Sequence, residues 1–374
     1  MKSQTTISIL SIILALSFSA FSQTVQPTPP SKTDKVENDG EVLRIESRLV
    51  VVPVSVSDVN GQPVMGLKAQ DFRVLEENKP QEIAQVSNAE KVPLEIALLF
   101  DISATTNPMF EFEQEIAAKF LQEVMRADDR ATIFTVGERP VIIQARDSAE
   151  KSAIAIKTIQ PTKQFTAFFD TISAASDYLQ KNSPSGRRKV IIVISDGEDT
   201  NSNRIRQAIE NGYRKLGEKI NTLDSKKLYE FTRANRDAAN DKELLRVMQT
   251  LQNTDAVFYS INPAGNSFQL NKVSVKGQNN LQRFASETGG TAFLPKILPL
   301  NLKDNLQNAQ NRQTNQDLLV KIFRQLANEL QAQYLVQYYS EADFPTNKYV
   351  KLGVSLQNPQ GMRVRARQGY FVKN

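Results

Sequence analysis

Hydrophobic positions change their period along this chain of 374 residues. Near the start Val50, Val52, Val54 and Val56 alternate with Val51, Pro53, Ser55 and Ser57, a period of two that turns one face of a strand inward. Asn60-Gly61 supplies a turn before Val64 and Met65. Phe72–Leu75, a polar Glu76–Pro80 turn and a run over 81–86 predict a second hairpin. Pro53 lacks an N–H for the ladder, which marks its strand as an edge candidate.

From Pro93 to about Pro295 short apolar runs alternate with segments of helical period. Strands are predicted at 96–100, 131–136, 141–145, 190–194, 256–261 and 291–294. Helices are predicted where Phe112, Ile116, Phe120, Leu121 and Val124 recur on one face, and over 148–159, 166–180 and 281–287. Asn107-Pro108 offers a cap and a first-turn proline for the first of these. Such alternation implies a parallel sheet with crossover helices. The interval 201–241 breaks the rhythm: its mixed charges at helical spacing imply solvated helices that leave the sheet beside Asp196 and shape the rim of whatever binds there.

Downstream, Leu318, Leu319, Ile322, Leu326 and Leu330 form an amphipathic helix. Period two then returns at Tyr334, Val336 and Tyr338, at Val350, Leu352, Val354 and Leu356, and in a basic stripe of Arg363, Arg365 and Arg367. The stripe reads as the wet face of an antiparallel strand, with an anion site as the sharper alternative. β segments at both ends of the α/β region are economically joined into one small module, since neither has enough strands to be stable alone. The expected division is therefore an N-terminal β segment over 41–92, an α/β domain over 93–300 containing the charged insert, and a helix and β segment over 301–374 that pairs with 41–92.

The first 22 residues resemble a secretory signal: Lys2, an apolar stretch over 7–18, and small residues at Ala20 and Ser22 before the cut. Residues 23–40, rich in Pro, Thr, Ser, Lys and Asp, predict a disordered linker. The expected location is secreted, periplasmic or in the cell envelope. With no Cys, His or Trp, the chain has no His/Cys zinc site, no Cys or His nucleophile and no disulfide. Chemistry is left to carboxylates, hydroxyls, lysines or an oxygen-held metal. The formal charge of +5 implies only a weak preference for acidic partners and no nucleic-acid footprint.

Two apolar runs end in acidic, hydroxyl-bearing loops: Asp101-Ile102-Ser103-Ala104-Thr105 and Ser195-Asp196-Gly197-Glu198-Asp199. In an open parallel sheet, ligands bind beyond the carboxyl ends of the strands. Thr166, at the start of a predicted helix, adds a hydroxyl to the same crevice. Magnesium takes six oxygens in near-octahedral geometry and keeps several waters. The carboxylates of Asp101 and Asp196 with the hydroxyls of Ser103, Thr105 and Thr166 meet that demand with little negative charge. The cation, Mg2+ or alternatively Mn2+ or Ca2+, then stays electrophilic toward an outside carboxylate.

These residues resemble the von Willebrand factor type A domain and its metal-ion-dependent adhesion site (MIDAS), Asp-x-Ser-x-Ser followed by a Thr and an Asp. Asp101, Ser103, Thr166 and Asp196 match directly, whereas Ala104 stands where Gly is frequent and Thr105 where Ser is usual. The run over 49–58, Asp71-Phe72-Arg73-Val74, Gln333-Tyr334 and Arg365-Ala366-Arg367-Gln368-Gly369-Tyr370 are similar to secreted bacterial "VWFA-related" proteins. The resemblance implies a Rossmann-like, doubly wound, mostly parallel sheet flanked by helices, with a smaller β module. It implies a non-enzymatic adhesion module whose partner, an unidentified protein or extracellular ligand, supplies a Glu or Asp to the metal. Two alternatives stand beside it: a scaffold with a vestigial site, and a metal-dependent hydrolase using Asp101 as nucleophile. Against the latter, Ser103 occupies the place where aspartyl-phosphate chemistry of the dehalogenase type wants a second Asp.

Overall fold

The computed structural model describes residues 47–103, 109–263, 265, 272–300 and 303–372. The chain divides into Met1–Arg44 and Ile45–Asn374, and every described residue belongs to the second unit. The expected signal sequence, the linker and the Asn107-Pro108 cap lie outside the described residues. No helix among the described residues is long and apolar enough to cross a membrane.

Four strands come first: β1 (Arg48–Ser57), β2 (Phe72–Glu76), β3 (Lys79–Gln81) and β4 (Ile83–Asn88). The α/β layer follows with β5 (Leu94–Asp101), α1 (Phe110–Val124), β6 (Arg130–Val136), β7 (Val141–Asp147), α2 (Ala149–Lys157) and α3 (Phe168–Asn182). It continues through β8 (Arg188–Ile194), α4 (Asn203–Leu216), α5 (Ser225–Thr254), β9 (Ala256–Ile261), α6 (Lys272–Thr288) and β10 (Ala292–Phe293). Next come α7 (Asn305–Gln331), β11 (Tyr334–Ser340), β12 (Tyr349–Leu356), β13 (Arg363–Ala366) and β14 (Gly369–Phe371).

The central sheet has the order β10-β9-β8-β5-β6-β7. All its neighbours are parallel except β6 and β7, which run antiparallel. Its middle strands are buried on both faces, which is why β5 and β8 read as continuous apolar runs rather than alternating ones. Alternate residues of β5 serve opposite cores. Ile96, Leu98 and Phe100 join α1 and α7 on one side, while Ala97 and Leu99 join α3, α5 and α6 on the other. The Leu319, Ile322, Leu326 and Leu330 stripe of α7 lies in the first of these cores, and the Phe323 ring packs 5.4 Å from that of Phe120 in α1. That helix therefore covers the α/β sheet rather than the β segment that follows it.

The remaining strands form two four-stranded sheets, β13-β1-β11-β4 and β14-β12-β2-β3, around one apolar core of Val52, Val54, Phe72, Val336, Tyr338 and Val350 with their neighbours. β1 pairs with β11 and β13, and β2 pairs with β12. The segment over 81–86, expected as one strand, breaks at Glu82: β3 stays with β2, while β4 crosses to β11 in the other sheet. β1 is internal, yet β13 covers only Val54–Ser57, so Pro53 pairs with Leu335 on one side and has no ladder partner on the other. Inside the sandwich the buried Glu76 accepts hydrogen bonds from Tyr338 Oη (2.7 Å), Ser340 Oγ (2.8 Å) and Tyr370 Oη (2.7 Å), tying the two sheets together. The basic stripe does not simply face water: Arg367 donates to Asp255 Oδ1 (2.7 Å) at the end of α5, and Arg365 lies 3.6 Å from Glu329 of α7. These contacts fix the sandwich against the α/β layer.

Candidate metal centre

Parallel strands in register deliver their carboxyl ends side by side, and β5 and β8 are adjacent, with Phe100 opposite Ile194. The next residues of each strand, Asp101 on one and Ser195-Asp196 on the other, leave the sheet together. Ser195 Oγ donates to Asp101 Oδ2 at 2.5 Å and itself accepts from Gly197 N at 3.1 Å. Ser103 donates to Asp101 Oδ1 twice, from its amide (2.9 Å) and its hydroxyl (2.7 Å). A hydroxyl that donates its proton keeps its lone pairs for a cation. Asp196 Oδ1 accepts from Glu198 N at 2.9 Å, which curls its loop back on itself.

Thr166 reaches the same edge by another route. Its amide donates to Thr200 Oγ1 (2.8 Å), and its carbonyl accepts from Thr200 N (2.9 Å) and Asn201 N (3.0 Å) in the loop that follows Asp196. Ala167 N donates to Gly137 O beyond β6, and Thr162 N donates to Ile102 O beside Asp101. The Thr166 side chain is almost fully buried and makes no hydrogen bond among the described residues, so its hydroxyl is uncommitted. Asp199 acts differently: it accepts from Phe169 N and from Ser202 N and Oγ, and so caps the start of α3. Four of the five expected ligands, Asp101, Ser103, Thr166 and Asp196, thus lie on loops joined by hydrogen bonds at one edge of the sheet. Thr105 lies outside the described residues.

The electrostatics of the cleft are those of acids without counter-ions. Burial raises the Asp101 carboxyl above its ordinary range, outweighing the hydrogen bonds from Ser195 and Ser103, and the charge of Glu198 adds to the rise. Burial, then the charge of Asp101, pushes Asp196 up to about 7. Burial likewise pushes Asp199 up to about 6 against the hydrogen bonds of Ser202 and Phe169. Among the described residues neither Asp101 nor Asp196 pairs with a basic side chain. No group of three or more acidic side chains that could hold a metal occurs among them; a cation held by Asp101 and Asp196 would complete its shell with hydroxyls and water. The donor set is all oxygen, which suits a hard divalent ion.

The architecture and this edge agree with what the chain matches. The sequence model of the von Willebrand factor type A domain fits residues 96–198, from β5 to the Asp196 loop. The chain carries a von Willebrand factor type A domain. No curated protein matches the chain. Solved structures with similar folds include proximal thread matrix protein 1 of the mussel byssus with a zinc-occupied MIDAS motif, at 14% identity over 68% of this chain and 50% of that one, TM-score 0.39. They also include an aerotolerance-related membrane protein from Bacteroides fragilis, at 14% identity over 60% and 98%, TM-score 0.32. BatB from Bacteroides thetaiotaomicron is another, at 15% identity over 60% and 97%, TM-score 0.33. The chain spans half the length of the mussel protein.

Three residues around the site of this type A domain carry roles that the sequence did not single out. Ser195 is the hydroxyl that links the two strand ends; it stands in the acidic run, but nothing in its spacing shows that it points at Asp101. Ser274 of α6 donates to Glu198 Oε1. Gly277 of α6 meets the loop backbone directly: a Cβ there would sit 2.7 Å from Asp196 O and 2.9 Å from Glu198 N. Two measurements follow. Ser195→Ala leaves Asp101 Oδ2 and Gly197 N short of a partner, and is expected to cost about 1–3 kcal/mol in urea denaturation and roughly tenfold or more in cation affinity. Gly277→Ala forces α6 away from the Asp196 loop at about 1–3 kcal/mol, and weakens cation binding in calorimetry while leaving the far-UV spectrum unchanged.

Proposed function

We propose that this domain is a divalent-cation-dependent interaction module, in which Asp101, Ser103, Thr105, Thr166 and Asp196 hold the ion and a Glu or Asp of a protein partner completes its shell. One observation carries the reading: two carboxylates at the ends of adjacent parallel strands are gathered by neutral donors and left without a basic partner. Proteins pair buried charges or coordinate metals with them. A small dication supplies the missing positive charge. Because the ligands contribute only two formal negative charges, it retains Lewis acidity for an incoming carboxylate. The ion would be Mg2+ or Mn2+, and the setting a secreted or envelope protein, as the apolar segment over 7–18 suggests.

Phe165, 66% exposed beside the uncommitted Thr166, offers an apolar contact at the rim. Titration calorimetry with Mg2+ and Mn2+ is expected to show one site per chain, with no turnover of ester or phosphate substrates. A pull-down from the source cell envelope should lose its partner when chelator is added. No heat of binding from either ion would leave a scaffold with a vestigial site. Metal-dependent turnover that disappears in Asp101→Ala would establish a hydrolase instead.

A further inference from the structure

The helices α4 and α5 form an antiparallel hairpin that the central sheet does not require. Gly212 of α4 lies so close to Asn235 of α5 that a Cβ there would fall within 3.0 Å of the Asn235 carboxamide carbon. Tyr213 Oη and Thr232 Oγ1 share a hydrogen bond of 2.5 Å one turn away. α5 has 30 residues and runs ~45 Å at ~1.5 Å per residue, whereas the six-residue β9 that it feeds spans only ~20 Å. The helix meets β9 at the strand's amino end, through Asp255. Its buried residues begin at Ala239, so the stretch from Ser225 to Ala238 overshoots the carboxyl edge of the sheet. A second contact sets the level. Lys276, next to the Gly277 that touches the Asp196 loop, bonds Asp237 at 2.9 Å and Asp241 at 3.6 Å. Residues before Asp237 therefore stand above the cleft that holds Asp101 and Asp196.

That projecting arm, residues 203–238, carries nine basic and five acidic side chains, while the rest of the chain lies within one charge of neutrality. Within it Arg214, Lys215, Lys219, Lys226 and Arg236 are exposed and make no ion pair among the described residues. Tyr229 is 65% exposed among them. A partner that brings a carboxylate to the cation passes this basic wall, and opposite charge steers and orients such an approach.

We propose that the α4–α5 arm docks an acidic polypeptide segment of the partner whose carboxylate completes the cation shell. The inference rests on the carboxylate-accepting reading of the site for its choice of a polypeptide over other polyanions. The test uses the full chain and poly-L-glutamate as probe, with Mg2+ or with chelator, at low ionic strength. Replacing Arg214, Lys215, Lys219, Lys226 and Arg236 together by Gln is expected to weaken binding about tenfold or more. Replacing the exposed Lys79, Lys119, Lys157, Lys181 and Lys351 by Gln removes the same net charge elsewhere and is expected to change it little. Both variants should keep the wild-type melting temperature. Equal losses in the two variants, no loss in the first, or no binding by the wild type overturn the proposal, as does tighter binding of heparin or duplex DNA than of polyglutamate through the same five residues. Chelator separates the two readings: insensitivity to it with loss in the arm variant sinks the cation site and keeps the arm, and the converse keeps the cation site and sinks the arm.

Discussion

Asp101→Ala is expected to erase the stabilisation that Mg2+ or Mn2+ confers. A ligand that binds only the folded state adds RT ln(1 + [L]/Kd), about 2.7 kcal/mol at a hundredfold excess over Kd. In the proposed shell Asp101 would supply one of two carboxylates, and its removal would leave Asp196 with hydroxyls alone. Alanine also frees three donors, the Ser103 amide and hydroxyl and the Ser195 hydroxyl, so its stability in chelator falls by about 1–3 kcal/mol. Asp101→Asn separates the two effects. It keeps an acceptor and the side chain's shape while losing the charge, so it should fold like the wild type and still ignore the cation. The measurement is the melting temperature with and without millimolar metal. A wild type that does not move, or an Asp101→Ala variant that moves as much, overturns the cation site.

The second large effect concerns pH in the metal-free protein. The shifts at the site all go upward: Asp196 to about 7, Asp199 to about 6, and Asp101 in the same direction. A carboxyl whose folded value exceeds its unfolded value of 3.8 binds protons more tightly in the native state. Between about pH 4 and 7 the folded chain thus holds protons that the unfolded chain has released, and stability falls as pH rises through that window. At about 1.4 kcal/mol per pKa unit, Asp196 alone accounts for roughly 4 kcal/mol. In chelator the protein should be more stable at pH 5 than at pH 8. A cation competes with the protons for the same oxygens, so its affinity should climb over this window and flatten the profile. A metal-free protein that gains stability from pH 5 to pH 8 would mean that these acids are hydrated and that the cleft is not built as described.

Much of the fold was legible because parallel strands buried on two faces have little choice of residue. Ile96–Phe100 and Val190–Ile194 are nearly pure apolar runs, and the two strands they predict form the middle of the sheet. The period of two in β1, β11 and β12 was equally plain, since each turns one face to the sandwich core. What escaped depended on partners. Nothing local to the run over 81–86 says that it splits between two sheets, because the break at Glu82 is set by the partners on either side of it, β2 for Gln81 and β11 for Ile83. The stripe of α7 was read as the apolar face of an amphipathic helix, but a stripe does not name what covers it, and here it packs into the core with α1 and the central sheet. At the candidate site, Asp101, Ser103, Thr166 and Asp196 were singled out by their places at strand ends and a helix start and by the resemblance, and the structure brings them to one edge of the sheet. Ser195, Ser274 and Gly277 were not, because a hydroxyl's aim and the close approach of the Gly277 backbone to that of the Asp196 loop are properties of the assembled loops.

The sandwich has a consequence for how the molecule is made. Its sheets interleave strands from opposite ends of the sequence, and Glu76 bonds a tyrosine 262 residues further on. The early strands emerge from synthesis with apolar faces and open edges long before their partners exist, and contacts of such long span are slow to close. The α/β layer, by contrast, can collapse from neighbours in sequence. Keeping the strands over 48–88 from pairing wrongly until those over 334–371 arrive is therefore a kinetic demand on the newborn chain, and chaperone protection of that early stretch would govern the yield.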